Sequence, residues 1–386
     1  MKLGALPGAP HLGYCTNIHA GESWPEVLEV VRTKVSAVKA RVSPDAPFGV
    51  GLRLSARAAA ALAVPGVLAR FQETLAAGGL YVFTINGFPY GDFHGTRVKE
   101  NVYRPDWTEP LRAEYTLQLA RILAALLPDS VRTGSVSTVP LGFRAAGATD
   151  VRAAAMADTL RRVARELAAL AAETGKHIVV ALEPEPACAL ETTDDAVRFF
   201  EEQLFARARA PGSEAEVRAH VGVCLDACHA AVEFEDATES VTRLEKAGIA
   251  IAKLQLTNAI EARGAAARAR LARFAEDTYL HQCVVRHADG SLTRTLDLPE
   301  ALGQSLREDD VLRTHFHVPI FLERLGELSG TQGFLRALLA LVRSRAISEH
   351  LEVETYTWDV LPAEHRQPSM VDDIARELAW VQEVLA

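Results

Sequence analysis

The stretch Val221–His229, VGVCLDACH, sets the frame for the rest of the chain. Val221, Val223 and Leu225 alternate with Gly222, Cys224 and Asp226. That is the period of a strand with one bulky apolar row and one small row ending in a carboxylate. The pattern predicts a buried strand with an acid at its C-terminal tip. His229 stands three residues further on, so a carboxylate oxygen and an imidazole nitrogen can be aimed at one point. Such O and N donors suit zinc, manganese, iron or cobalt better than calcium. The same residues also fit a plainer duty, an aspartate capping the next helix beside an exposed histidine.

Outward from this strand, β-type runs alternate with helical stretches rich in Ala, Leu, Arg and Glu. Candidate strands are LGYCTNI (12–18), FGVGLRL (48–54), LYVFTIN (80–86), SVSTVPL (135–141), HIVVALE (177–183), VGVCLD (221–226), IAKLQLT (251–257) and LEVETYT (351–357). Helices such as Trp24–Ala40, Glu109–Leu127, Val151–Thr174 and Glu239–Ala247 fall between them. Eight strands in this alternation predict an α/β chain folded as a (β/α)8 TIM barrel, a single domain over residues 1–386. No Gly-rich phosphate loop follows any strand, so the open nucleotide-binding sheets lose support.

Functional groups of such a barrel gather where its strands end. Here those ends carry Asn17 and His19, Arg53, Asn86, Glu183, Asp226, Lys253 with Gln255, and Glu352 with Glu354. Two long insertions are expected over the mouth. One, residues 86–107, is rich in Gly, Pro and aromatics and reads as a lid or substrate wall. The other, about 258–312, holds an Arg/Ala-rich helix and a hairpin whose Asp289-Gly290 pair marks its turn. The stretch 206–216, ARARAPGSEAE, reads as a surface excursion.

Composition narrows the class. Half of the residues are hydrophobic, yet no apolar run reaches the length of a membrane span. The five cysteines, Cys15, Cys188, Cys224, Cys228 and Cys283, are odd in number and scattered, which argues against a disulfide framework. A net charge of −9 disfavours a nucleic-acid partner, because neutralising phosphates needs a basic surface. A cytoplasmic location is the default expectation, and a homodimer stays open.

Candidates for one shared centre are Glu183, Asp226, His229, Gln255, His315, His317 and Glu354. Glu183 ends the apolar run IVVAL and is hard to solvate without a partner, although a carboxylate before proline can also cap. In THFHVP, alternate positions put the rings of His315 and His317 on one side of an extended segment; two satisfied surface histidines fit too. Glu352 and Glu354 share a face, and two inward carboxylates repel unless a cation or a proton lies between them. A metal answers that repulsion, and so does a buried arginine such as Arg53.

With these residues in view, the sequence resembles the xylose-isomerase-like barrels, the superfamily of sugar isomerases, ketose epimerases and endonuclease IV. NIHAGESW, FTINGFPYGDFH, VKENVYRPDW, CLDACHAAVEFE, KLQLTNA, HFHVP and EVETYTW are similar, more narrowly, to the bacterial metabolite-traffic family called EboE, over nearly the whole chain. The resemblance implies a metal held by Glu183, Asp226, Gln255 and Glu354. Gln255 departs from the histidine of similar epimerases, and an amide oxygen is a weaker ligand, so His315 or His317 is an alternative fourth donor. In the nuclease branch a histidine-containing pair after the seventh strand binds a further zinc, which His315 and His317 match in kind.

The leading expectation is a divalent-metal-dependent isomerase or epimerase of a sugar or cyclitol, with Zn, Mn, Co or Fe. Glu183 and Glu354 would exchange the proton and His229 would orient a substrate oxygen. Asn17, Arg53, Asn86, His94 and Lys253 would bind hydroxyls or a phosphate. The alternatives are a multinuclear phosphoesterase like endonuclease IV and a non-catalytic metabolite-traffic protein.

Overall fold

The computed structural model describes residues 1–94, 97–144, 150–208, 212–358, 361 and 369–386. Residues 95–96 of the 86–107 loop and 209–211 of the 206–216 stretch lie outside the described residues. Eight strands pair in parallel: β1 (His11–Tyr14), β2 (Phe48–Arg53), β3 (Leu80–Asn86), β4 (Thr133–Thr138), β5 (His177–Leu182), β6 (Val221–Asp226), β7 (Ile251–Leu256) and β14 (His350–Val353). Their order, β1-β14-β7-β6-β5-β4-β3-β2, bends into a nearly closed barrel whose edges meet at a parallel bridge between Cys15 and Gly51. Every residue of β6 is buried, because a barrel strand has helices on one face and the packed interior on the other.

The first and last predicted strands are markedly shorter than read. The first ends at Tyr14 and turns into a short 3-10 stretch, Thr16–Ile18, while the last ends at Val353, level with Leu256 of β7. Asn17 and Glu354 therefore sit just beyond the ladder, on the rim. The first helix is also interrupted: Trp24–Val30 and Ser36–Val42 are joined by a wider π-type turn at Val31–Val35. The helices at Pro110–Leu126 and Asp150–Thr174 match their expected spans closely.

The interior is filled unevenly. β1 and β2 contribute glycines, and larger side chains from β3 and β14 occupy the space. A Cβ at Gly49 would lie 2.9 Å from the Phe83 ring, and one at Gly51 would lie 1.6 Å from Glu352 Oε1. Along β14, His350, Glu352 and Glu354 are alternate residues and so rise through successive levels of the barrel. His350 hydrogen-bonds Ser135 through Nδ1 at 2.8 Å, and Glu352 pairs with the fully buried Lys253, itself 3.3 Å from Ser137 Oγ. Glu354 emerges at the mouth.

The second insertion, together with the residues that follow it as far as Gly330, builds an antiparallel sheet from β8 (Ile260–Arg263), β9 (Cys283–Arg286), β10 (Leu292–Thr295), β11 (Val311–Thr314), β12 (Arg324–Leu325) and β13 (Leu328–Gly330). The predicted hairpin is β9–β10, and Gly290 takes the left-handed backbone its turn requires (φ +85°). β11 pairs with both β9 and β8, so its end delivers His315 and His317 back towards the barrel. No helix among the described residues is long and apolar enough to cross a membrane.

Candidate functional site

Asp226 performs two duties at once. One oxygen, Oδ1, caps the helix Ala227–Val232, accepting from the backbone N–H of Cys228 (2.6 Å) and His229 (3.0 Å), and it also takes the Thr257 hydroxyl at 2.6 Å. The other, Oδ2, is buried with no hydrogen-bond partner. The capping that gives Asp226 a plain structural reading thus fixes the carboxylate so that its second oxygen faces inward. Glu183, one residue past β5, leaves its Oε2 buried without a partner in the same way.

Three imidazoles complete the cluster, and their tautomers follow from their acceptors. His229 Nδ1 lies 3.0 Å from the Pro184 carbonyl, and His317 Nδ1 lies 2.6 Å from the Glu354 carbonyl; carbonyls only accept, so both nitrogens carry their protons. His315 Nδ1 meets Gln282 Oε1 at 2.7 Å. Gln282 turns that oxygen towards His315 because its Nε2 donates to Glu185, Tyr103 and the Pro186 carbonyl. With Nδ1 so engaged, Nε2 is the nitrogen that each ring turns to the cluster. The Nε2 atoms of His229 and His315 face each other across 3.2 Å, and that of His317 is buried and unpartnered.

With Nδ1 protonated on both rings, so close an Nε2 pair calls for a proton or a cation between the nitrogens. Nitrogens bound to one tetrahedral zinc at about 2.0–2.1 Å stand about 3.3 Å apart, close to the spacing seen here. Ligand atoms of Asp226, His229 and His317 lie within 4.8 Å of one another, as do those of Glu185, His229 and His315 and those of Cys228, His315 and His317. Orphaned oxygens, inward Nε2 atoms and short mutual distances all fit a divalent cation. The Nδ1 contacts are of the kind that orient histidines in metal sites.

Glu354 is held differently. Its Oε1 accepts from Asn17 Nδ2 (3.3 Å) and Asn86 Nδ2 (3.2 Å), and its Oε2 accepts from Gln255 Nε2. Burial, then the nearby Glu352 and Asp226 carboxylates, push it up to about 7. Burial, with Asp226 and Glu354 close by, raises Glu183 well above the carboxylate range. Burial lowers His317 to about 4, and burial together with the neighbouring His229 and His317 rings drives His315 well below its ordinary value.

The pocket above this cluster is lined by Asn17, Asn86, Glu183, His229, His315, His317 and Glu354 among the expected residues. Asp226 is not among the lining residues, though its carboxylate lies within 4.8 Å of the ligand atoms of His229 and His317. Four expected residues are placed elsewhere, and each has a physical reason. Gln255 spends its amide N–H on Glu354 and turns its oxygen to Cys224 Sγ (3.7 Å), so it braces a carboxylate instead of offering a ligand to the cluster. Lys253 is held deeper in the barrel by Glu352. Arg53 is turned away to Glu22 (2.6 Å) and the Gly21 and Gly91 carbonyls, so it does not neutralise the β14 acids. His94 stands outside the lining, its Nε2 2.7 Å from the Asn17 carbonyl.

Several lining residues went unread. Glu185, Tyr103, Tyr279 and Tyr356 face the pocket. The doubled acid-proline of Glu183-Pro184-Glu185-Pro186 was the available signal for Glu185, since the backbone at a barrel rim can direct both acids to the opening. The aromatics come from loops, where no period marks an inward face.

Among solved structures, the chain is similar to a xylose isomerase-like TIM barrel protein from Mycobacterium smegmatis in complex with magnesium. The two are 10% identical and align over 100% of this chain and 98% of that one, with a TM-score of 0.53. The fold is that of the xylose-isomerase-like TIM barrels. The barrel is also similar to the 3-keto-D-glucoside 4-epimerase YcjR from E. coli (12% identity, 97% and 99% covered, TM-score 0.46). A third likeness is to the IOLI protein with a bound zinc atom (13% identity, 97% and 98% covered, TM-score 0.46). No protein-family model and no curated protein matches the sequence.

Proposed function

We propose that the protein is a metal-dependent isomerase or epimerase acting on a sugar or cyclitol by proton transfer beside a carbonyl. The observation that carries this reading is the gathering of the ligand atoms of Asp226, His229 and His317, and of Glu185, His229 and His315, each set within 4.8 Å, with Asp226 Oδ2 and His317 Nε2 buried and unpartnered and the Nε2 atoms of His229 and His315 only 3.2 Å apart. These residues would hold a divalent ion, and an N-rich set of this kind suits Zn, Mn, Co or Fe. When bound, such an ion polarises neighbouring carbonyl and hydroxyl oxygens.

The chain's own groups supply the rest. Glu354, oriented by Asn17, Asn86 and Gln255, takes a proton from the carbon beside the carbonyl and returns it; a carboxyl at about 7 does both at neutral pH. Glu183 faces the same pocket and serves the opposite face of the substrate. Asn17 Oδ1 is buried and unpartnered, an acceptor for a substrate hydroxyl. Incubation of the metal-loaded protein with a panel of sugars and cyclitols in deuterated water tests the proposal. Deuterium in the recovered substrate supports it, and no exchange with any member refutes it.

A second reading, phosphoester hydrolysis with several ions, is favoured by the three overlapping ligand sets. One ion per chain by elemental analysis would exclude it. The likeness to the EboE family adds a bacterial metabolite pathway as the setting, and a non-catalytic traffic role is the reading that follows if no metal binds.

A further inference from the structure

The pocket has two unlike halves. One holds the cluster above with Asn17 and Asn86. The other is walled by Phe88, Phe93, Val98, Val102, Leu280 and Tyr356. The rings of Phe93, Tyr279 and Tyr356 form a triangle with centroids 5.1–5.6 Å apart, and Tyr356 lies 4.5 Å from the His317 ring, so the apolar wall begins where the donor cluster ends. Phe93, Val98 and Tyr279 pack as a small core of their own that joins the 86–107 loop to the second insertion.

This half offers little to a polyol. Its side-chain hydroxyls are those of Tyr279, which is 3.3 Å from His94 Nδ1, and Tyr356. A substrate hydroxyl placed against Val98, Val102 or Leu280 gives up its water and gains no partner. Charge points the same way. Glu183, Glu185 and Glu354 line the pocket, and among its described lining residues the one Lys or Arg is Lys99, held by Asp297 at 2.7 Å. Arg53 and Lys253, the cations that would have received a phosphate, are committed to Glu22 and Glu352.

We infer that the substrate is an unphosphorylated sugar or cyclitol carrying an aromatic or comparably apolar ring, with the polyol at the donor cluster and the ring against Phe93, Tyr279 and Tyr356. This rests on the proposed function for the polyol half alone. Aromatic side chains take an apolar ring by offset or edge contacts at the spacing seen among themselves.

The test is calorimetric titration of the metal-loaded protein with matched methyl and phenyl β-glycosides of glucose, galactose and xylose, and with glucose 6-phosphate. In at least one matched pair the phenyl member should bind tenfold to a hundredfold more tightly, the factor expected from burying one ring. The phosphate should show no binding. Phe93→Ala should shrink the phenyl advantage to threefold or less while leaving the methyl member's affinity alone. If that variant fails to fold, the wild-type pairs decide alone. Equal affinity within every pair, no binding of any phenyl member, or tighter binding of glucose 6-phosphate each overturns the inference. The readout is binding, so a protein that prefers phenyl glycosides yet exchanges no deuterium refutes the isomerase reading and keeps this one. Exchange without that preference does the reverse.

Discussion

Lys253→Met removes the cation from a pair that sits at the centre of the barrel with both side chains fully buried. Glu352 then has no compensating charge, and Gly51 of β2 brings backbone, with no side-chain donor, against its Oε1. Breaking one half of a buried pair costs about 3–5 kcal/mol, because the remaining charge stays out of water. Unfolding entropy of about 2.1 cal/mol/K per residue gives roughly 0.8 kcal/mol/K for a chain of 386 residues, so Tm should fall by roughly 4–6 °C. Scanning calorimetry reads the shift directly. The double variant Lys253→Met/Glu352→Met replaces both charges with apolar chains of similar length and should recover most of the loss. If the single variant melts within 1 °C of the parent, or the double is as unstable as the two singles summed, Lys253 and Glu352 are not a desolvated pair and the account of the barrel interior is wrong.

Burial raises Glu377 to about 8, although Oε1 accepts from Thr355 (2.6 Å) and the Ile320 N–H (3.1 Å). A carboxyl raised on folding holds its proton more tightly in the native state, so its contribution is complete below the unfolded value near 4.3 and is lost as pH rises towards 8. Glu377→Gln should therefore gain stability over the parent at pH 8 and gain little at pH 5; the same difference in Tm at both pH values would contradict this. Loading the protein with zinc at pH 6.5 should release protons, since burial keeps Glu183 protonated without a cation while His315 and His317 are already neutral. Calorimetry in buffers of different ionisation enthalpy measures that release, and a buffer-independent heat would refute it. Gly51→Ala should abolish folded protein or lower Tm by several degrees, because its Cβ meets Glu352 Oε1 at 1.6 Å and the Tyr14 carbonyl at 2.9 Å; an unchanged melt would show that the seam is looser than described. Gln255→Leu should slow any turnover about tenfold or more by freeing one oxygen of Glu354, with metal content unchanged; loss of the metal instead would make Gln255 a ligand.

The barrel was legible because each parallel strand leaves a short apolar run that a helix-length stretch separates from the next. VGVCLD and LYVFTIN coincide with β6 and β3. Phase told which side chains point inward, and for Glu183, Asp226 and Glu354 that sufficed. Phase does not tell what an inward side chain meets. Lys253 and Glu352 occupy adjacent strands two register positions from one another, a pairing that only the strand order β14-β7 reveals. Arg53 depended on Glu22, an exposed-looking acid in a loop. Gln255 stands where similar epimerases carry a histidine, which marks it as a ligand in the sequence; in the fold its amide lies between Cys224 and Glu354, neighbours that only the strand order supplies. The antiparallel sheet of the second insertion was legible only at its hairpin, since β8, β12 and β13 are two to four residues long and carry no usable period.

Asn17 Nδ2 donates to Glu354 Oε1 across 337 positions of the chain. The carboxylate proposed to move the proton is thus oriented by a residue translated long before it. During synthesis the donors wait without their acceptor, and a chain stopped short of the final strand holds every imidazole of the cluster yet lacks this acid. Catalytic competence would appear as a late event in folding, so recovery of activity after denaturation should trail recovery of helical signal, with the interval reporting how fast the two ends of the polypeptide find each other.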